Sequence, residues 1–544
     1  MKSILIKNGW IIDGTGSGGF DGHVRIQGDK IEAVAKTNGD LPVADETIDA
    51  AGHVVAPGFI DMHSHSDWAL PLADHDICLS PLLEQGVTTV VGGNCGFSPA
   101  PFTAKTRKVM GMDHFNLMID KPLDYQWTTM ADFLDRVDQA RPLLNMAELA
   151  GHGTIRLACA DTRRGAMPEH ERAVCLDALR ESLDAGACGL SFGLGYDPGM
   201  YSPADEIDVF CRVAAEAGKP VTVHLKALSR ISPTYPVTYL KPHNVRALKE
   251  MLDAARRTGV RLQVSHLIFA GRRSWPTAET CLNMIADARK QGVDVMFDAF
   301  PYTCGNTTIN VVLPYWFLAG LPEAAHDKWM RARLRTEMAV GFGLLGFSFS
   351  DFQLMDAAVN EWQELNGYRL PDIAAKWNTT PFDAMLRLSR ETRGQAMVLF
   401  HKYSGEPGRE QALDAVLADD ACLFETDAII HFRGHPNPAT LGAFPKILGR
   451  YVRDRKLFSM ENAVRRMTGA SAERFGIRDR GVLARGKKAD VVIFDPAVVD
   501  ETAPRDPAPA GKPKGIAQVF INGVQVVNNG DYISGIRAGE VIRV

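Results

Sequence analysis

The sequence predicts an α/β protein: a distorted TIM (β/α)8 barrel, a small β-sandwich built from both chain ends, and a helical insertion between barrel strands 7 and 8. Three observations lead there. Between residues 58 and 470, eight apolar β-branched runs alternate with helical periods, the pattern of parallel strands buried on both faces. The two ends of the chain carry short β-rich runs broken by Gly and Asn. The stretch 303–421, between the seventh and eighth runs, is too long for an ordinary connection.

Taken in order, the N-terminal runs are 3–6, 10–12, 23–26, 30–34 and 53–56, and the C-terminal ones are 490–494, 516–521, 524–527 and 540–544. Asn522-Gly523 marks a hairpin between two of them. Neither end alone buries enough apolar surface for a core, so both are expected to pack into one unit. The expected division is 1–57, 58–480 and 481–544. Barrel strands are expected at 58–66, 87–92, 144–151, 187–192, 220–225, 260–267, 293–300 and 422–427, with helices such as 171–185, 205–217 and 247–258 between them. An open doubly wound sheet would place a Gly-rich turn after its first strand, and none follows 59–65. Residues 502–513, with four prolines, read as an irregular connection.

Composition narrows the function. The 544 residues are 46% hydrophobic and 23% charged, enough for a sizeable globular core. Sixty basic residues against 65 acidic ones give a net charge of -5, which lacks the electrostatic footprint of a nucleic-acid binder. Nine scattered cysteines without a CxxC pair read as reduced thiols in a cytoplasmic protein. The opening MKSILIKNGWIIDGTG has neither a signal-peptide core nor a membrane span, so no membrane partner is expected.

The chemistry lies at the strand ends. His63 and His65 stand at i and i+2 of the first strand, so both imidazoles point to one face, which in a barrel is the interior. Cys95 follows the second strand in GGNCG, His224 ends the fifth, His266 the sixth and Asp427 the eighth. Six such residues at the C-terminal ends of strands surround one cavity with soft and borderline ligands. Thiolate with imidazoles favours zinc over magnesium or calcium, with iron and manganese left open by ligand type. A metal there lowers the pKa of water toward ~7 and polarises a carbonyl, and Asp427 is placed to take and return a proton.

These residues carry a resemblance. VVAPGFIDMHSHSD (54–67), EQGVTTVVGGNCGFSPAP (84–101), AGHGTIR (150–156), GLGYDPGMYS (193–202), FDAFPYTCGNTT (297–308) and the long segment 444–496 resemble the D-aminoacylase (N-acyl-D-amino-acid deacylase) branch of the amidohydrolase superfamily, nearly end to end. Cys95 stands where that branch has a cysteine after the second strand. The resemblance implies that Cys95, His224 and His266 hold a tighter zinc, while His63, His65 and Asp427 form a second, weaker position. It also implies that Asp427 is the general acid/base and that Tyr302 contacts the carboxylate of a small-molecule substrate, with Thr308 a neighbouring hydroxyl. His152 is either a pocket residue on the scissile carbonyl or a buried structural histidine, and Lys226 is a substrate ligand, a carboxylated bridge or a solvated lysine. Homo-oligomers are common for such barrels, with no stoichiometry fixed.

Two departures bear on the substrate. The family lysine two residues after the sixth-strand ligand is Ile268 here, so either Lys226, Arg272 or Arg273 supplies a counter-charge or the substrate lacks a carboxylate at that point. Thr426-Asp427-Ala428 replaces the family's Ser-Asp-Gly. The aromatic and Met residues of the insertion, Trp316, Phe317, Phe342, Phe347, Phe349, Phe352 and Met355, form either a subdomain core or the wall of a pocket for a bulky group. The expected function is thus zinc-dependent hydrolysis of an N-acyl-D-amino acid. The rivals are a hydrolase of the same fold acting on a bulkier amide, lactam, carbamate or ester, and a non-catalytic scaffold.

Overall fold

The computed structural model describes residues 2–37, 42–109, 118–236 and 241–544. All eight expected barrel strands are present: Phe59–Asp61, Val87–Gly92, Asn145–Gly151, Gly189–Gly193, Pro220–His224, Arg261–Val264, Val295–Ala299 and Cys422–Phe424. Each runs parallel to the next in chain order. The chain just beyond the first and last strands closes the ring. Ser64 bridges Ala428, the Asp427 amide donates to the His63 carbonyl at 3.0 Å, and the His65 amide donates to the Ala428 carbonyl at 2.9 Å. One step earlier, the Thr426 amide donates to the buried Asp61 carboxylate at 3.0 Å and its hydroxyl does so at 2.5 Å. Val87–Gly92 and Asn145–Gly151 are buried along their whole length, which is why these strands read as continuous runs rather than alternating ones.

The outer helices follow local signals. Met130–Ala140 starts at a capping box between Thr129 and Asp132 and turns Phe133, Leu134 and Val137 inward. Losing such a cap costs about 1 kcal/mol. His243–Thr258 ends where Gly259 adopts φ +70°, a conformation that glycine reaches without a Cβ penalty.

Both chain ends join one nine-stranded sheet. The junction is Val491–Phe494, antiparallel to Val54–Pro57 on one side and to Ile516–Ile521 on the other. The sheet folds over itself, since Lys30 bridges Lys488 and the Ile31 amide donates to the Lys487 carbonyl, enclosing Ile6, Val24, Ile26, Val55, Val491 and Phe520. The runs 3–6 and 10–12 are one strand, Ser3–Ile11, with a register shift between Ile6 and Gly9. Residues 540–544 leave this sheet, contrary to the expectation. They lie along the third barrel strand, where the Met146 amide donates to the Glu540 carbonyl and Arg543 pairs with Asp135 and Asp138.

The insertion is more than helical. Lys328–Leu345, Leu370–Lys376 and Pro381–Glu391 pack with a three-stranded antiparallel sheet of Cys304–Thr308, Phe352–Asp356 and Met397–His401. Phe317 and Phe352 belong to its core and the half-buried Trp316, Phe342, Phe347 and Phe349 pack against it, while Met355 packs separately with Met397 and Leu399. The stretch 502–513 is also ordered differently from the expectation. Asp500–Thr502 and Gly511–Lys514 form a hairpin, and Asp506 beyond the first of these strands accepts from Gln353 Nε2 and Arg369 Nε of the insertion, both at 2.9 Å. No described helix is long and apolar enough to cross a membrane.

Candidate metal centre

The six predicted ligands converge. Cys95 Sγ lies 3.3 Å from His63 Nε2, 3.3 Å from His266 Nε2 and 3.8 Å from His224 Nδ1, and the last two nitrogens are 2.9 Å apart. Asp427 Oδ1 is 3.4 Å from His63 Nε2 and 3.6 Å from His65 Nε2. Cys95 and His63 thus stand between the two groups. Donors at ~2.1 Å (nitrogen) and ~2.3 Å (sulfur) from a tetrahedral ion sit roughly 3.3–3.6 Å apart, which Cys95 meets toward His63 and His266 at 3.3 Å, while His224 stands wider from the sulfur at 3.8 Å and closer to His266 at 2.9 Å. The donor set and its spacing fit zinc. His63, His65, Cys95 and His266 are buried, whereas the Asp427 side chain keeps 18% of its surface, which leaves it reachable from the mouth.

The backbone is shaped for this. Cys95, His266 and Asp427 have φ of 56°, 29° and 48°, left-handed values that side-chain-bearing residues seldom adopt and that cluster at functional sites. The Cys95 turn fits because Gly93 passes where a Cβ would lie 2.1 Å from the Leu149 carbonyl oxygen. Ser191 on the fourth strand pins the turn, accepting from the Gly96 amide at 2.9 Å and donating to the Gly93 carbonyl.

Burial opposes a thiolate at Cys95, but His63, His266 and His224 outweigh it and hold the thiol well below its usual range. Burial likewise raises Asp427, and the His65 hydrogen bond with the charges of His266 and His63 more than reverses this, so it stays ionised. At Glu425 burial dominates, and the neighbouring Asp298, Asp427 and Asp61 add to it against the opposing charge of His63, so its carboxyl is pushed well above the usual range.

The substrate-side residues are spread more widely. His152 opens the helix after the third strand, fully buried between Phe192 and Phe210, with Nε2 3.0 Å from Glu206 Oε1. The Tyr302 hydroxyl donates to Glu501 Oε2 at 2.7 Å, and Lys446 sits 3.8 Å from its ring centroid. Thr308 ends a strand of the insertion opposite Met397, and Lys226 Nζ rests 5.5 Å from the centre of the Tyr235 ring. Arg272 is paired with Glu406. Ile268 belongs to the main apolar core.

Sequence reasoning passed over Asp298, which bonds to His63, and Tyr403, which lies near enough to Asp427 for that charge to add to burial in raising its phenol. A lone acid inside the apolar run VMFDAF was the signal for Asp298; nothing in the sequence near Tyr403 marks it.

A closed barrel with a Cys/His/Asp centre at the C-terminal ends of its strands defines a metal-dependent hydrolase architecture. The amidohydrolase family model matches residues 46–388 and 418–527, and the chain belongs to that family. It is 32% identical over 531 residues to N-acyl-D-glutamate deacylase of Alcaligenes xylosoxydans xylosoxydans, covering 96% of this chain and 93% of that protein. It is 30% identical over 541 residues to D-aminoacylase of the same organism, covering 99% and 97%. Among solved structures, N-acyl-D-glutamate deacylase from Bordetella bronchiseptica, complexed with zinc and a phosphonate mimic of the tetrahedral intermediate, superposes with TM-score 0.80 at 30% identity over 100% of both chains. A crystal structure of D-aminoacylase gives TM-score 0.79 at 28% identity, again over 100% of both.

Proposed function

We propose that this chain is a zinc-dependent amidohydrolase that cleaves the amide of an N-acyl-D-amino acid to a carboxylate and a free D-amino acid. The observation that carries the reading is the meeting of five buried or half-buried Cys and His donors with an ionised, reachable Asp427. Zinc, when bound, supplies an acidified water and an electrophile for the acyl carbonyl. Asp427 accepts the proton of the attacking water as the new C–O bond forms, and delivers it to the nitrogen as the C–N bond breaks. His65 keeps its carboxylate aimed.

Lys226 serves as the anchor for the substrate carboxylate. It follows His224 by two residues and, unlike Arg272 or Lys402, has no carboxylate partner among the described residues. Thr308 and Tyr403 complete the substrate side, while His152 and Tyr302, both engaged by glutamates, shape the pocket from behind. A second reading has one observation behind it: Ile268, only 7% exposed, places an apolar wall after His266, which suits a bulkier neutral amide, lactam, carbamate or ester.

Nine free cysteines agree with a cytoplasmic setting, and homo-oligomers are compatible with the reading. The catalytic unit is taken as 58–480 including the insertion 303–421, carried on a β unit of 1–57 and 481–544. The experiment is a hydrolysis panel of N-acetyl-D- and L-amino acids beside neutral amides and lactams. Turnover of D-acyl acids with little of L supports the first reading. Turnover of neutral compounds alone replaces it with the second.

A further inference from the structure

We propose that Asp298 is the positioning residue of this centre, holding one ligand from each of the two donor groups with a single carboxylate oxygen. Asp298 points into the barrel from the seventh strand and is buried. Its Oδ1 accepts from His63 Nδ1–H at 3.2 Å and from the His266 amide at 2.6 Å, and its Oδ2 accepts from Gln263 Nε2–H at 2.8 Å. Glu425 lies in the same nest, but its oxygens make no hydrogen bond among the described residues, so the hold on His63 is that of Asp298.

Two consequences follow from that geometry. A hydrogen kept on His63 Nδ1 leaves Nε2, the nitrogen facing Cys95 and Asp427, with its lone pair free for a metal. The charge-assisted bond to the His266 amide also fixes the backbone at φ 29°, a conformation with a steric cost that needs an outside restraint. The same carboxylate therefore sets the 5.0 Å separation of the His63 and His266 rings. The barrel closes through Ser64, Thr426 and Ala428 without Asp298, so its three bonds are spent on the centre and on the neighbouring Gln263.

The inference rests on the metal-centre reading above, and its test separates the two. Asp298→Asn keeps the side-chain shape, and Gln263 Oε1, which has no partner among the described residues, can turn to accept from the new amide. Wild type and D298N are stripped of metal, the zinc dissociation constant is measured by competition with a chromophoric chelator, and the Tm of each metal-free protein is recorded. The expected result is a zinc Kd raised about 10–100-fold with an unchanged metal-free Tm. Asp298→Ser, whose cavity admits a bridging water, carries the same test if D298N does not fold. A Kd within about twofold of wild type overturns the inference, as does a weakened Kd that comes with a metal-free Tm lowered by more than about 5 °C in both variants. Wild type that binds no zinc overturns the metal-centre reading instead.

Discussion

The amide of Asp427 donates to the carbonyl of His63 at 3.0 Å, and the carboxylate of Asp427 lies 3.4 Å from Nε2 of that same histidine. One pair of residues thus closes the barrel with its backbone and assembles half of the centre with its side chains.

Asp427→Asn separates these roles, because the backbone bond survives while the proton acceptor is lost. Turnover should fall about 10²–10⁴-fold, with most of the zinc retained and little change in Tm. Steady-state kinetics on metal-loaded protein measure it, and activity equal to wild type would remove Asp427 from the chemistry.

Cys95→Ser tests the donor that faces three histidines. A hydroxyl is a far poorer zinc ligand than a thiolate, so zinc per protomer should drop sharply. The Tm of the variant with zinc present should approach that of stripped wild type, since a ligand stabilises only what it binds. Elemental analysis and a thermal melt check both; full zinc occupancy in C95S would exclude the thiolate as a ligand.

Tyr302→Phe separates a pocket wall from a substrate ligand. Losing the bond to Glu501 inside a buried cluster should cost about 1–2 kcal/mol of stability, with KM within a few-fold of wild type. A large rise in KM at unchanged stability would return Tyr302 to the substrate carboxylate, the role that the family resemblance implies.

A pH prediction comes from the insertion. Burial, followed by the Arg369 guanidinium, pushes His401 down to about 3, and its Nε2 lies 3.0 Å from Gln353 Oε1. In the unfolded chain it titrates near 6.5. Between these values the unfolded state binds the extra proton, so this contribution is whole above about pH 6.5 and is lost as pH falls toward 3. The slope is at most about 1.4 kcal/mol per pH unit. Denaturant unfolding at several pH values should show a shallower acid loss in His401→Gln, which keeps a donor without the titration; identical slopes would place the His401 pKa elsewhere.

The sequence was most legible where one residue type has few reasons to occur. His63, His65, Cys95, His224, His266 and Asp427 were readable because each ends or follows a buried apolar run, and the structure brings them together. The sheet within the insertion was not, because Cys304–Thr308 is polar and Met397–His401 nearly all apolar, so neither alternates as a half-buried strand does. Residues 540–544 look like any sheet strand, and only the tertiary positions of Met146, Asp135 and Asp138 draw them to the barrel. Tyr302 carries a matching motif, yet Glu501, distant in sequence, takes its hydroxyl.

The most direct test of the account is the metal content of protein purified without chelator or supplement, followed by stripping and reconstitution. The account predicts one or two zinc ions per protomer, loss of amide hydrolysis on stripping, and its return with zinc. Protein that arrives metal-free and stays inactive after zinc is restored would contradict it and favour a barrel kept as a scaffold.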